Sequence, residues 1–142
     1  MRSRSGRRAG ALAVCAFLLA ACGEPIVPRS PEALYALAQQ QLSNNNFSPA
    51  LDTLARVVRE APDSESGRRA RVLQIALLGG MARAFREVAE SYLAGSQEAG
   101  AAAYAPRMRS VAMDYFGRAR GRSIEMVEAL DRLMREPLTA PL

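Results

Sequence analysis

Apolar residues recur at helical spacing along most of this chain, and the points where that stripe changes phase, or fails to, decide how it can fold. Leu34, Leu37, Ala38 and Leu42 form a first stripe. Continued unbroken, it needs apolar residues near 45, 49 and 52, but those positions hold Asn45, Pro49 and Asp52. The apolar set restarts at Phe47, Ala50, Leu51, Leu54, Val57 and Val58, about two residues out of phase. Ser30-Pro31-Glu32 offers a capping hydroxyl, a proline for the first helical position and an acid for the positive end of the helix dipole. Ser48-Pro49 repeats the cap and the proline, and Asn44 to Asn46 can take the left-handed conformation that ends a helix. Pro62 pushes Ala61 away from helical angles. The stretch therefore predicts two short antiparallel helices joined by an asparagine turn.

The second half behaves differently. Ala70, Leu73, Leu77, Met81, Ala84, Phe85, Val88 and Tyr92 keep one stripe straight through Gly79-Gly80, where a turn should have reset it. The phase predicts one long helix from about Ser66 to Leu93 rather than a second hairpin. Two interior glycines cost ~2 kcal/mol relative to alanine, so close approach of another helix is expected there. The segment VLQIALLGGMA is apolar on nearly every side, which places this helix centrally. AGSQEAGAAA, residues 94 to 103, reads as a loop. Beyond it Tyr104, Met108, Val111, Tyr115, Ala119, Met126, Leu130 and Leu133 make a stripe that runs to Arg135, with Arg122 interrupting it and Pro137 stopping it. Asp114/Arg118, Glu128/Arg132 and Asp131/Arg135 are spaced as i,i+4 ion pairs with the acid first. No segment reads as a strand. The expected fold is all-α: an antiparallel helical hairpin over 32–62, then two long antiparallel helices at about 66–93 and 105–135, in a four-helix right-handed or bundle-like array with a loose tail at 137–142.

Leu34, Leu37, Ala38, Phe47, Ala50, Leu51, Leu54 and Pro62 follow a spacing that resembles a tetratricopeptide repeat over residues 32 to 64. The resemblance implies close helix contact at Ala38 and Ala50, Phe47 packed under the turn, and a partner groove whose positions include Leu34 and Leu54. The departures are Leu34 in place of an aromatic residue, Gln41 in place of tyrosine and Val57 in place of alanine. Thirty-four residues further on, Arg68 and Arg71 stand where a second repeat would bury apolar groups.

Residues 1–21 have a character of their own. Arg2, Arg4, Arg7 and Arg8 precede the apolar run ALAVCAFLL, which is too short for the ~20 residues of a membrane span. A positive start, a short apolar run and small residues at a cleavage point mark a secretory signal. Leu19-Ala20-Ala21-Cys22 resembles the lipobox of bacterial lipoproteins, which implies cleavage before Cys22 and a lipid on its sulfur. Gly23 is not the aspartate that retains enterobacterial lipoproteins at the inner membrane, so the resemblance implies the outer membrane, facing the periplasm. GEPIVPRSP, residues 23–31, then serves as a tether, so that 22–31 comprises the lipidated cysteine and its flexible link. Cleavage removes the four arginines with Cys15, leaving 15 cations against 14 acids, a net charge of +1, and a single cysteine. The pI near 10.0 thus describes the signal more than the domain, and a nucleic-acid role loses its support.

Chemistry is sparse. The chain has no histidine, tryptophan or lysine, which excludes nucleophile–histidine pairs, His-based metal sites and Schiff-base lysines. No catalytic residue, cofactor or metal is expected. Glu87 with Glu90 and Glu125 with Glu128 are the carboxylate pairs that could hydrolyse a sugar bond, but a solvated face explains both. In GRARGR, residues 117 to 122, Arg120 points away from Arg118 and Arg122, and Gly117 and Gly121 would permit a helix contact. Two functions are compatible with this inventory. One is a non-enzymatic adaptor or scaffold at the membrane surface, binding a protein partner in the envelope. The other is a carrier of lipid or another apolar ligand, with Met81, Met108, Met113, Met126 and Met134 lining a cavity between the long helices. Replacing Cys22 with serine should release the protein from membrane fractions or leave it uncleaved. Fractionation and the intact mass of the mature chain check this, and unchanged fractionation removes the anchor.

Overall fold

A computed structural model describes residues 30–98 and 100–135. The signal at 1–21, Cys22, the tether as far as residue 29 and the tail at 137–142 lie outside the described residues. The chain forms α1 (Pro31–Ser43), α2 (Phe47–Glu60), α3 (Glu65–Gly95) and α4 (Ala105–Arg135), with no strand among the described residues. Ser30 caps α1 by accepting a hydrogen bond from the Ala33 N–H at 3.2 Å, and Pro31 opens the helix. The asparagine turn forms as the phase break requires. Asn45 adopts a φ of 58°, and the Asn45 and Asn46 N–H groups donate back to the carbonyls of Leu42 and Gln41. Ser48 does not cap α2. The helix starts two residues earlier, at Phe47 with Asn46 in the cap position, so Pro49 falls inside the first turn, where its missing N–H leaves no bond unmade.

The α2–α3 junction is tighter than its sequence announces. Ser64 accepts from the Gly67 N–H at 2.9 Å and donates its hydroxyl to the Ala61 carbonyl at 2.8 Å, so one side chain caps both helices. A side chain on Gly67 would place its first carbon 2.0 Å from the Ala61 carbonyl oxygen. Arg68 donates to the Asp63 carbonyl at 2.7 Å, and the buried Arg71 reaches the Pro62 carbonyl at 3.4 Å. The two arginines that break the repeat pattern thus help to fasten the turn before it.

α3 runs unbroken through Gly79-Gly80. A carbon added at Gly79 would sit 3.0 Å from the Met126 sulfur, whereas Gly80 faces open space, so close approach accounts for one glycine and not the other. Gly79 lies beside Met126, Phe85 beside Tyr115, and Gly95 beside Met108, which makes α3 and α4 antiparallel along their length. Their seam is built from small residues. Ala82 and Ala89 on α3, and Ala105, Ala112 and Ala119 on α4, are buried at seven-residue spacing. This is the pattern of helices packed at the short end of the usual 8–10 Å range. Tyr104 and Leu130, expected within the α4 stripe, are instead exposed: Tyr104 falls in the turn before the helix starts, and beside Leu130 it is Ala129 that faces the core.

α1 and α2 pack on each other and on the first half of α3. One core cluster joins Leu34, Ala38, Leu54, Val57 and Ala70, and a second joins Leu51, Leu78 and Ala129. Two of the three predicted α4 ion pairs form, Arg118–Asp114 at 2.9 Å and Arg135–Asp131 at 2.7 Å. In the third position Arg132 turns to the Glu128 carbonyl instead of its carboxylate. Gly67→Ala should lower stability by about 2–4 kcal/mol, since rigid backbone cannot yield. Gly80→Ala should raise it by about 1 kcal/mol. Urea denaturation followed by circular dichroism measures both.

Candidate partner-binding site

Helix lengths alone create an overhang. α1 and α2, of 13 and 14 residues, span about 20 Å, whereas the 31 residues of α3 and of α4 span about 46 Å. Up to Met81 the face of α3 bearing Ala70, Leu73 and Leu77 is covered by the short hairpin. Past that point the same face continues as Phe85, Val88 and Tyr92, with no third helix over it among the described residues. Val88 and Tyr92 are 37% and 40% exposed. The result is a step: the hairpin tip forms the riser and the long helices form the tread.

Aromatic groups furnish the tread. Tyr115 of α4 stacks on Tyr92 with ring centroids 6.1 Å apart and meets Phe85 at the same distance in a tilted contact. The Arg118 guanidinium lies 5.3 Å from the Tyr115 ring centre and also pairs with Asp114. At the foot of the riser an open groove of about 400 Å³ is lined by Ser48, Met81, Phe85, Arg118, Arg122 and Glu125, among others. Arg122 is tied to Glu125 at 2.7 Å. Phe47, the residue before Ser48, is 45% exposed at the tip rather than packed under the turn, because α2 begins at Phe47 itself. The step therefore offers apolar and aromatic surface with cations at its edge, each already carrying an acid.

The positions singled out by the repeat spacing lie elsewhere. Leu34, Ala38, Ala50 and Leu54 are fully or almost fully buried, so they hold the hairpin together and cannot touch a partner. Glu87 and Glu90 face solvent and pair with Arg83 and Arg86 at 3.7 and 3.5 Å; Glu125 lines the first groove but is paired with Arg122, and Glu128 does not line it. Arg120 does lie on a different side of α4 from Arg118 and Arg122: it lines a second open groove with Arg83, Arg86 and Phe116. A carbon added at Gly117 or Gly121 meets nothing within 4 Å among the described residues, and Gly121 lines the first groove. The five methionines do not converge. Met81 and Met126 share a core cluster, Met108 lies by Gly95, and Met113 and Met134 are exposed. Among the described residues no group of acids or cysteines is placed to hold a metal, and no helix is long and apolar enough to cross a membrane.

The sequence places Phe85, Val88, Tyr92 and Tyr115 on helical stripes without showing that the stripe runs on past its cover. The overhang was nonetheless present in the helix lengths, since a stripe continuing through Tyr92 outruns anything a 14-residue helix can cover. No protein-family model matches the chain, and neither a curated protein nor a solved structure matches it significantly.

Proposed function

We propose that this chain is a non-enzymatic adaptor of the bacterial envelope, anchored through a lipid on Cys22 and holding a protein partner on the step beside its hairpin. The observation that carries this reading is the uncovered aromatic tread of Phe85, Val88, Tyr92 and Tyr115. A face that a third helix would ordinarily cover is suited to an amphipathic helix with apolar anchors at i, i+3 or i+4 and i+7. The repeat-like hairpin supports the same mode of action, because such hairpins commonly present surfaces for binding rather than groups for reaction. The lipobox and the residue after Cys22 support placement at the outer membrane, facing the periplasm.

The test is site-specific photocrosslinking in cells. A benzophenone side chain at Val88 or Tyr92 should give a discrete protein adduct, and one at Glu87, on the charged side of the same helix, should not. Adding Val88→Asp to the Tyr92 probe should abolish the adduct while moving the thermal midpoint little, because Val88 is more than a third exposed. Equal adducts from all three positions, or none from any, would contradict the adaptor. Adducts to lipid in place of protein would favour a carrier.

A further inference from the structure

α4 carries a second face that the described residues leave bare. Ala105, Ala112, Ala119, Met126 and Ala129 turn toward the rest of the molecule. More than a quarter-turn round the helix lie Met113, Gly117, Arg120, Ile124, Val127 and Asp131. Met113, Ile124 and Val127 are 69%, 49% and 58% exposed. A carbon added at Gly117 meets nothing within 4 Å, so another backbone could approach closely there.

Charge indicates what covers this face. Arg120 and Glu128 have no ion pair among the described residues, although most charged residues of α3 and α4 around them do. They stand four residues before and four residues after Ile124. We propose that the occupant is a second copy of this chain, its α4 running antiparallel across a two-fold axis at Ile124. That axis sets Arg120 opposite the second copy's Glu128, twice over. A parallel pairing would oppose Arg120 to itself. The strip from Met113 to Met134 is about 33 Å long and one helix wide, which falls short of a standard interface, so the dimer is of the weak, reversible kind. This face is separate from the aromatic tread, and the inference does not depend on the adaptor reading.

Cysteine crosslinking of the full chain in cells tests the pairing, with the chain carrying only its native cysteines as the blank. Ile124→Cys, on the axis, should give a species of twice the mass under mild oxidation, and Met113→Cys, far from the axis, should not. In the Ile124→Cys background, Arg120→Glu or Glu128→Arg alone should cut that species roughly tenfold or more by opposing like charges. The two together should restore it. Both substitutions are on exposed side chains, so loss of the fold does not imitate the result. No dimer from Ile124→Cys, equal dimer from Met113→Cys, or failure of the double substitution to rescue would overturn the proposal.

Discussion

The alanine seam between α3 and α4 is the contact on which the rest of the molecule depends. Ala82, Ala89, Ala105, Ala112 and Ala119 let two 31-residue helices run side by side at short separation. Close backbones leave no room for large groups between them, so Phe85, Tyr92 and Tyr115 are displaced to one flank and gather there. The seam contributes shape more than hydrophobic area. Most of the large buried side chains, Leu34, Leu54, Val57 and Leu78, lie where the short hairpin meets α3. Burial is therefore concentrated at one end of the long pair.

That hairpin is held in place by the junction at residues 61–71. Ser64 caps in both directions, Gly67 admits the Ala61 carbonyl, and Arg71 reaches Pro62 from within the core. A junction with this little slack fixes the angle at which α2 leaves α3, and so fixes where the hairpin tip ends along the long helices. The position of the step follows from it. Surface ion pairs matter less: they are i,i+4 or i,i+3 pairs with exposed side chains, worth about 0.3–0.5 kcal/mol each.

Much of this was legible in the sequence, because phase is a strong signal. The reset at Asn45 and its absence at Gly79 gave four helices with ends correct to within a few residues. Other features were less visible. A stripe of large residues identifies the side of α4 that meets its neighbours but not which members are buried, so it includes Leu130 and, beyond the helix start, Tyr104, while the alanines do the packing. The start of α2 differs from the Ser48-Pro49 expectation because Pro49 is tolerated anywhere in a first turn, which leaves that start undetermined by two residues. The clash that requires a glycine at 67 involves a carbonyl six residues away, and no local pattern reports it. The step was hidden for a related reason: exposure along a stripe depends on how far a neighbouring element reaches.

The central claim is that, among the described residues, the long hairpin is covered over one half and bare over the other. Native-state hydrogen exchange on the purified chain measures this directly, since local opening follows the contacts each segment buries. Amides of α3 between 70 and 81 should exchange only at the rate of global unfolding, and those between 88 and 95 should open far more readily. Equal protection along the whole of α3, or stronger protection in its second half, would contradict the account.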